Sequence, residues 1–513
     1  MQLGKLFYAM YKMKLLSPFS LYNLVAALLT CGVNVMALLR FAGKTYRNKV
    51  AFVDDYETVS YYELFLQAEA LSIALHKSFQ LTKGQKVGLL CRNHGSLVKS
   101  IFAVSRLGAD IYLLNVEMSK DQLRNIFERQ QFNLVIYDFE LTSLLERANY
   151  KGTSIISCHD ELPAINHLCG KSDDQLGKLP RTSMGKLILL TGGTTGKSKE
   201  VAHKPSLFNY LPPFLTLLTR VKLFNYKTGY IATPIFHGYG VAFMLLFIAL
   251  GKKIVITKRF DATSACSLIC EHQVEVVTVV PLMIRRMLKH NMEELTSLAC
   301  IASGSAELTP NLVDEVFRKV GDVLYNLYGT SESGLNIIAT PEDLKYSPKT
   351  LGKKINGVQV KLVDKNKKPV QEGVIGQFCM KNKWSMRNRS ASWIETGDLG
   401  YQDKNGYYFL CGRADDMIVS AGINVYPFEL EEVLLSHPNI EDVAVIGIQD
   451  EEFGQRLKAF VQLVKHTYLH EEELYGWLRP RIARYQVPKE IVFVESLPYT
   501  PLGKLDKKKL LTK

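Results

Sequence analysis

Residues 186–199, with the sequence KLILLTGGTTGKSK, set the organisation of the chain. The apolar run at 187–190 predicts a buried strand. Threonines, glycines and lysines follow, and they suit a polyphosphate because glycine admits phosphate oxygens close to the backbone, hydroxyls donate hydrogen bonds and lysines offset negative charge. We interpret the stretch as a nucleotide-binding loop. Its candidate binding residues are Thr191, Gly192, Gly193, Thr194, Thr195, Gly196, Lys197 and Lys199.

The loop does not match the Walker A motif. Counting back from Gly196-Lys197-Ser198, the first glycine that GxxxxGK[ST] requires falls on Thr191. On these residues alone, an ordinary Gly/Thr turn is as good an interpretation as a nucleotide site. The choice between them depends on the rest of the chain.

Composition and charge predict a globular protein with anionic ligands. The chain has 513 residues, 47% of them hydrophobic, which predicts two to four domains at roughly 100–200 residues each. The net charge of +13 favours polyanionic partners such as nucleotides, anionic lipid surfaces or nucleic acid, although solvated surface lysines are the commoner explanation. We expect no nucleic-acid partner.

The nine cysteines are dispersed and include no CxxC pair. This pattern is typical of reduced thiols in a cytoplasmic protein and differs from a disulfide framework or a zinc site. We therefore expect a cytoplasmic location and no structural metal.

Residues 15–39 contain no charged side chain and are flanked by Lys14 and Arg40. A membrane-spanning helix is one interpretation. Because serine, asparagine, threonine, proline and glycine interrupt the stretch, we favour a helix that lies on the inner face of a membrane or packs on the main body.

Regular elements alternate after residue 49. The segments KVAFVDD and ETVS predict a hairpin, and Ser60 and Glu63 form a capping box at the start of a helix. Strands are predicted at 86–91, 110–114 and 134–137, with helices at 96–107 and 119–130 between them. This alternation predicts an α/β fold with a doubly wound, mostly parallel sheet, in which ligands bind at the carboxyl ends of strands.

Three later segments also carry polar residues at predicted strand ends. The segment TPIFHGYG places His237 before an apolar helix, and we assign it to a pocket wall, although a core histidine is the commoner explanation. Another strand leads into Gly304-Ser305-Ala306. A third leads into Tyr328-Gly329-Thr330-Ser331-Glu332, where Tyr328 could stack on a base and Glu332 could hold Mg²⁺.

Together these segments resemble the adenylate-forming acyl-CoA synthetase superfamily, which includes acyl- and aryl-CoA ligases, firefly luciferase and the adenylation domains of peptide synthetases. The resemblance covers residues 49–509 and includes five motifs in the order of the family. The later motifs are Glu395-Thr396-Gly397-Asp398, then Gly412-Arg413-Ala414-Asp415 followed by Gly422 and Glu429, and Pro501-Leu502-Gly503-Lys504.

The resemblance implies ATP, Mg²⁺ and CoA as ligands. The loop at 191–199 would hold the β- and γ-phosphates, and Glu332 would bind magnesium. Asp398 would take both ribose hydroxyls and Arg413 would support ribose and phosphate, although an exposed turn is the alternative for Asp398 alone. Adenine would lie among Gly304, Ser305, Ala306, Asn326, Tyr328, Gly329 and Thr330.

Lys504 resembles the catalytic lysine of the family. Two anions must meet when a carboxylate attacks the α-phosphate, and a positioned cation offsets their repulsion. With His237 and Glu332 it completes the candidate catalytic set, whereas the neighbouring lysines 507–509 are interpreted as solvated tail charges.

The resemblance also implies a domain organisation. We predict an arm at 1–48, a large ATP- and acyl-binding domain at 49–412, a hinge at 413–415 and a small mobile α+β domain at 416–513. The small domain would present Lys504 in the first half-reaction and the segment around Gly422 to the thiol in the second.

The loop departs from the family pattern at three positions. Gly192 replaces a hydroxyl residue, Ser198 a proline and Glu200 a glycine. Loss of one hydrogen bond costs about 0.5–1.5 kcal/mol, so we expect weaker ATP binding rather than its loss.

We therefore predict an AMP-forming acyl-CoA synthetase for a medium- to long-chain fatty acid, with the acid, ATP and CoA as partners and peripheral membrane contact through the arm. One alternative is a ligase that loads an aryl, amino or fatty acid onto a carrier-protein thiol. Another is a non-catalytic nucleotide- and lipid-binding homologue.

Overall fold

The computed structural model describes residues 11, 17–170, 179–183, 185–191, 199–203, 207–385, 392–420, 423–500 and 504–511. The chain forms two compact units. The first comprises residues 1–345, 355–357 and 382–391, and the second comprises 346–354, 358–381 and 392–513. This division by compactness does not test the hinge at 413–415, which stays a prediction.

The first half of the first unit runs from the arm to the candidate phosphate loop. Its elements are α1 (Pro18–Cys31), α2 (Val35–Thr45), β1 (Val50–Val53), β2 (Thr58–Ser60), α3 (Tyr61–Phe79), β3 (Lys86–Leu90), α4 (Gly95–Arg106), β4 (Asp110–Leu113), α5 (Lys120–Gln130), β5 (Leu134–Tyr137), α6 (Thr142–Arg147), β6 (Ser154–Ile156), α7 (Ile165–Cys169), β7 (Leu187–Thr191) and β8 (Lys199–His203).

The second half of this unit continues the alternation. Its elements are α8 (Leu207–Arg220), β9 (Thr228–Ile231), α9 (Gly238–Ala249), β10 (Lys253–Ile256), α10 (Ala262–Glu271), β11 (Val276–Val279), α11 (Pro281–Met287), β12 (Cys300–Gly304), α12 (Pro310–Lys319), β13 (Leu324–Thr330), β14 (Gly334–Ala339) and α13 (Pro341–Tyr346).

The second unit is richer in strands. Its elements are β15 (Thr350–Lys354), β16 (Gln359–Val363), β17 (Gly376–Lys381), β18 (Ile394–Gln402), β19 (Tyr408–Arg413), β20 (Ile418–Ser420), β21 (Ile423–Val425), α14 (Pro427–Leu435), β22 (Ile440–Asp450), β23 (Gly454–Leu463), α15 (Glu471–Leu478), β24 (Glu490–Phe493) and α16 (Lys507–Leu511).

Two mostly parallel sheets build the first unit. One has the strands β14-β13-β12-β11-β9-β10-β1-β2 in that order, and among them only β14 and β2 run antiparallel to their neighbours in this unit. The other has the order β6-β5-β3-β4-β7-β8, with β8 antiparallel to β7. Both sheets bury runs of Val, Ile and Leu, as strands covered on two faces require. The predicted doubly wound α/β fold is confirmed.

Local signals placed several of these elements correctly. The predicted hairpin is the antiparallel pair β1 and β2. The Ser60 hydroxyl accepts from the Glu63 N–H while the Glu63 carboxylate accepts from the Ser60 N–H, so the capping box at the start of α3 is present. Both orphan donors at this helix end are thereby satisfied.

The second unit contains two mostly antiparallel arrangements, in which only β24 runs parallel to its neighbour β23. Strands β16, β17, β18, β19 and β15 lie side by side in that order, and a five-stranded sheet has the order β21-β20-β23-β22 with β24 beside β23. Helices α14 and α15 cover the five-stranded sheet over a core that includes Leu430, Leu434, Leu474 and Leu478. This last part has the α+β character predicted for the C-terminal domain.

The uncharged stretch of the arm forms two helices rather than one. Helix α1 ends at Cys31 and α2 begins at Val35. Within the described ranges, no helix combines the length and the apolar character needed to cross a membrane.

The turn between these helices is anchored to the segment that leads to β7. The Thr182 N–H donates to the Cys31 carbonyl (3.2 Å), and the Asn34 side-chain amide donates to the Thr182 carbonyl (3.1 Å). Gly32 has φ +87°, and a Cβ there would lie 2.1 Å from the Thr182 carbonyl oxygen. Only glycine fits this position.

We predict that Gly32→Ala destabilises the fold more than Gly84→Ala. Both glycines have positive φ, +87° and +84°, but no atom lies within 4 Å of a Cβ at Gly84. Positive φ costs alanine about 1–3 kcal/mol, most of all at Gly32, whose ψ of −172° lies in a region essentially restricted to glycine. Only Gly32→Ala adds a collision with the Thr182 carbonyl. Urea unfolding of both variants measures the difference, and equal losses would contradict the proposed anchor.

Candidate active site

The candidate phosphate loop connects two antiparallel strands. Strand β7 ends at Thr191 and β8 begins at Lys199, and these two residues are paired across the ladder. Strand β8 returns beside β7, so the segment is not the strand–loop–helix of a Walker A site, in agreement with the sequence. Glu200 pairs with Leu190 in the same ladder. The expected phosphate ligands Gly192, Gly193, Thr194, Thr195, Gly196 and Lys197, with Ser198, lie outside the described residues.

The candidate adenine residues follow two neighbouring parallel strands. In the register of β12 and β13, Ser303 pairs with Asn326 and Gly304 with Leu327. The sheet therefore brings the 304–306 segment and the 326–330 segment to one edge. Tyr328 is 9% exposed, which limits the ring surface that it offers for stacking.

Ser305 adopts an unusual backbone conformation at this edge. Its φ is +69°, a left-handed value that non-glycine residues adopt infrequently. The serine is exposed, and Ala306 beside it is half-buried. Such local strain is a feature of ligand sites, where the surrounding structure enforces it.

Glu332 lies in the tight turn between β13 and β14. The hydroxyls of Thr330 and Ser333 hydrogen-bond to each other (2.9 Å), and the Ser333 N–H donates to the Thr330 hydroxyl. The Glu332 side chain is half-buried, so its carboxylate is accessible to a hard cation such as Mg²⁺.

A buried amide network supports this turn, and the sequence did not reveal it. The Asn382 amide donates to the Ser333 carbonyl (2.8 Å) and to the Asn336 side chain (3.0 Å). The Asn336 amide donates to the Ser333 hydroxyl and the Gly334 carbonyl. Lone asparagines carry no local signal of such long-range pairing, because their partners are distant in the sequence.

His237 lies at the first turn of the apolar helix α9. Its ring packs against Phe236 at 4.6 Å between centroids, and the residue is half-buried. The Tyr239 hydroxyl donates to the Ala302 carbonyl (2.7 Å), and its ring lies 3.6 Å from the position of a Cβ at Gly304. Tyr239, two residues after His237, is thus fixed against the start of the 304–306 segment, and the pocket-wall position of His237 stays a prediction.

Asp398 and Arg413 form an ion pair in the second unit. They are paired across β18 and β19, and Arg413 Nη1 lies 2.9 Å from Asp398 Oδ1. Arg413 also donates to the Thr396 carbonyl and, through Nε, to Asp415 (3.1 Å). Burial lowers the pKa of Arg413, but Asp398 and Asp415 raise it above its usual value.

Each residue of the Thr396-Gly397-Asp398 turn makes a contact that explains why that residue type is present. The Thr396 hydroxyl donates to the Phe378 carbonyl and accepts from the Asp398 N–H. Gly397 has φ +78°, and a Cβ there would lie 2.7 Å from Arg413 Nη2. The glycine therefore makes room for the guanidinium that holds Asp398.

Lys504 lies at the base of a loop near the C-terminus. The Thr500 N–H donates to the Lys504 carbonyl (2.7 Å), and the Lys504 N–H donates to the Thr500 hydroxyl (3.2 Å). Lys504 is exposed. Lys507 was interpreted as a solvated tail charge, but it forms an ion pair with Asp416 at 2.6 Å.

Cys91, His94 and Asp138 lie close enough together to be considered as metal ligands. Hydrogen bonds account for their arrangement: His94 Nε2 is 2.7 Å from Asp138, and His94 Nδ1 accepts from the Leu97 N–H. Burial alone would raise the pKa of Asp138, but the bonds from His94, the Arg92 N–H and Ser157 lower it to about 2. A charged, hydrogen-bonded network at the strand ends explains the cluster.

The chain was compared with models of protein families. The model of the AMP-binding enzyme matches residues 39–388, and that of the AMP-binding enzyme C-terminal domain matches residues 429–504. The chain belongs to the AMP-binding enzyme family. This match confirms the resemblance to the adenylate-forming superfamily and the prediction that the chain is an enzyme.

Individual relatives of this AMP-binding enzyme are ligases. The 2-succinylbenzoate–CoA ligase of Bacillus pumilus is 29% identical over 444 residues, covering 84% of this chain and 89% of that protein. The medium/long-chain-fatty-acid–CoA ligase FadD8 of Mycobacterium tuberculosis is 29% identical over 349 residues, covering 63% and 60%.

A solved structure shows the same fold. The o-succinylbenzoate CoA synthetase MenE of Bacillus subtilis, in complex with the acyl-adenylate intermediate OSB-AMP, aligns with a TM-score of 0.80 at 23% identity. The alignment covers 92% of this chain and 97% of that one.

The predicted site residues of this AMP-binding enzyme fall into two groups. Glu332 and the adenine candidates belong to the first unit, and Asp398, Arg413 and Lys504 to the second. Gly422 lies outside the described residues. The assignments of individual residues to ligands stay predictions.

We predict that Gly397→Ala weakens ATP binding while Gly406→Ala does not. The two glycines have φ +78° and +79°, but a Cβ at Gly406 meets only Gln402 Nε2, at 3.7 Å. Displacing the Arg413 guanidinium should raise the KM for ATP roughly tenfold, as expected for loss of a charge-assisted hydrogen bond. Acid-dependent ATP–pyrophosphate exchange gives this KM, and an equal rise in both variants would indicate backbone strain instead.

Proposed function

We propose that this AMP-binding enzyme is an ATP-dependent CoA ligase. In the first step a carboxylate oxygen attacks the α-phosphorus of ATP, the bond to the β-phosphate breaks, and acyl-AMP and pyrophosphate form. In the second step the CoA thiol loses its proton, its sulfur attacks the acyl carbon, and AMP leaves. The family match over both parts of the chain supports this reaction class.

The observation that carries the proposal is the Asp398–Arg413 pair. Its carboxylate is mostly buried, at 13% exposure, and is fixed by the guanidinium at 2.9 Å. A carboxylate suits the two ribose hydroxyls of a nucleotide because it accepts hydrogen bonds through both oxygens. The neighbouring guanidinium, which Asp398 and Asp415 hold in place, would donate hydrogen bonds to a phosphate.

The proposed roles of the other candidate residues follow from the negative charges that meet in the reaction. The 191–199 loop would hold the terminal phosphates, and Glu332, in its turn supported by Asn382, would hold Mg²⁺, which neutralises phosphate charge when bound. Lys504 would offset the repulsion between the carboxylate and the α-phosphate. Its exposed position on a short loop suits a residue that meets substrate only in one half-reaction.

The acid has two candidate classes. Apolar helix α9 supports the predicted medium- to long-chain fatty acid, and FadD8 acts on such acids by its name. The relatives that cover most of the chain are named for 2-succinylbenzoate, an aromatic acid. The Tyr239 ring, fixed against Gly304, favours a compact or aromatic acid over a long chain.

The proposed partners are therefore a carboxylic acid with an apolar body, ATP and CoA, with the arm at 1–48 in peripheral contact with a membrane. The carrier-protein acceptor and the non-catalytic homologue are the rival functions. A carrier-protein ligase would release its acyl-AMP to a phosphopantetheine thiol and not to free CoA. A non-catalytic homologue would bind ATP without acid-dependent release of pyrophosphate.

A panel of acids in the exchange assay tests the substrate class. We expect 2-succinylbenzoate, benzoate and decanoate to support more exchange than palmitate, because the Tyr239 ring beside Gly304 would obstruct a long chain that lies against this segment. Tyr239→Ala should shift the preference towards palmitate, and Leu245→Ala, at a half-buried position of the same helix, is the comparison variant. Palmitate as the best substrate of the native enzyme would contradict the role of Tyr239.

We predict that Lys504→Ala separates the two half-reactions. Loss of one electrostatic stabiliser should lower acyl-AMP formation roughly a hundredfold or more, while thioester formation from supplied acyl-AMP and CoA is retained. Lys509→Ala is the matched control, since the Lys509 side chain is 70% exposed. Single-turnover assays of each step give the rates, and equal loss in both steps would rule out the step-specific role.

A further inference from the structure

Helix α1 buries small or polar side chains and exposes large apolar ones. Its buried residues are Ser20, Asn23, Ala27 and Cys31. Ordinary surface helices have the opposite arrangement, with the large apolar residues facing the core. The exposed side chains are Phe19 at 64%, Leu21 at 53%, Tyr22 at 69%, Val25 at 47% and Leu29 at 64%, and we call these five the docking face.

The docking face is continuous and contains no charge. Tyr22, Val25 and Leu29 are spaced three and four residues apart, so they lie on one side of the helix. Thr30 borders the face, and its hydroxyl donates to the Ala26 carbonyl (2.8 Å), which satisfies the donor within the helix. Helix α1 has no acidic residue in its first turn and no basic residue in its last.

The anchored turn after α1 fixes which side of the helix faces outwards. Asn34 bonds to both the Cys31 and Thr182 carbonyls, at 2.7 and 3.1 Å. Gly32 packs directly against Thr182. Rotating α1 to bury Tyr22 and Leu29 would break these contacts, so the exposure of the face is built into the fold.

Positive charge accompanies the docking face. Residues 1–53 contain no Asp or Glu and seven cations, of which the structure describes Arg40, Lys44, Arg47 and Lys49. Arg40 lies over the ring of Phe65, Lys44 and Arg47 over that of Tyr62, and Lys49 over that of Tyr46. Within the described ranges none of these four cations forms an ion pair with an acid.

The cations belong to the helix that packs on α1 and to the chain just after it. Helices α1 and α2 pack together and are joined by only residues 32–34. Arg40 and Lys44 are on α2, and Arg47 and Lys49 follow its end. An apolar helix face with adjacent cations is the pattern of interfacial membrane helices.

We propose that the docking face binds the surface of a bilayer containing anionic phospholipid. The apolar side chains enter the headgroup boundary while Arg47 and Lys49 meet lipid phosphates. This deepens the proposed function, on whose peripheral membrane contact it rests. A second copy of the chain is the disfavoured occupant, because it would bring two sets of unpaired cations into one interface.

Vesicle sedimentation tests the proposal with the full-length protein. The probes are vesicles of phosphatidylcholine alone and of phosphatidylcholine with phosphatidylglycerol. We expect binding to the anionic vesicles, weakened by salt. Arg47→Gln with Lys49→Gln should weaken it by about tenfold or more, and Tyr22→Glu with Leu29→Glu should abolish it.

Matched control variants show whether vesicle binding depends on the docking face itself or on any exposed side chain or cation. Tyr468→Glu alters a side chain that is 76% exposed in the second unit, and Lys404→Gln with Arg479→Gln removes two exposed cations there. Both controls should bind like the native protein. Thermal unfolding of all variants should be unchanged, because the altered side chains are exposed.

Three outcomes would overturn the proposal: no binding to anionic vesicles, binding that the α1 variants leave intact, or a dimer in sedimentation equilibrium that Tyr22→Glu with Leu29→Glu dissolves. Pyrophosphate exchange in vesicle-free buffer separates this proposal from the enzyme function. Exchange without vesicle binding rejects the docking face alone, and vesicle binding without exchange for any acid rejects the ligase alone.

Discussion

The buried guanidinium of Arg106 connects three parts of the first unit. It is 1% exposed at its side chain, lies 3.5 Å from Glu69, and donates to the carbonyls of Leu179 and Pro180. A buried charge without partners would cost several kcal/mol. The folded protein must therefore keep all of these contacts to Arg106. They fix the segment that ends at Thr182, which holds the arm on one side and leads into β7 on the other.

The contacts of Arg106 therefore support both the turn between α1 and α2 and strand β7, which leads to the candidate phosphate loop. The Thr182 hydroxyl donates to the Arg106 carbonyl, and the Thr182 carbonyl accepts from Asn34 in the turn of the arm. A few residues later, β7 pairs with β4 in the core of the second sheet. Helices α1 and α2 are therefore part of the folded unit, and the anchored turn between them sets which side of α1 is exposed.

Each of the two units contains some of the candidate site residues. In the first unit, strand ends provide a carboxylate in a turn that is supported by Asn336 and Asn382. In the second unit, Arg413 holds Asp398 and Asp415, and Lys504 is exposed on a loop. A reaction between two anions needs such separate groups for phosphate, ribose and metal, because no single side chain neutralises all of them.

The sequence alone determined the family and many of the strands and helices, but it did not divide the uncharged stretch of the arm into α1 and α2. Runs of Val, Ile and Leu identified the parallel strands, Ser60 and Glu63 marked a helix start, and the motif around Asp398 indicated nucleotide chemistry. These signals are local, since each depends on neighbouring residues. Only the tertiary structure decided that α1 exposes Tyr22 and Leu29, that Lys507 pairs with Asp416, and that Asn382 supports the turn of Glu332, because each of these depends on residues brought together from distant parts of the chain.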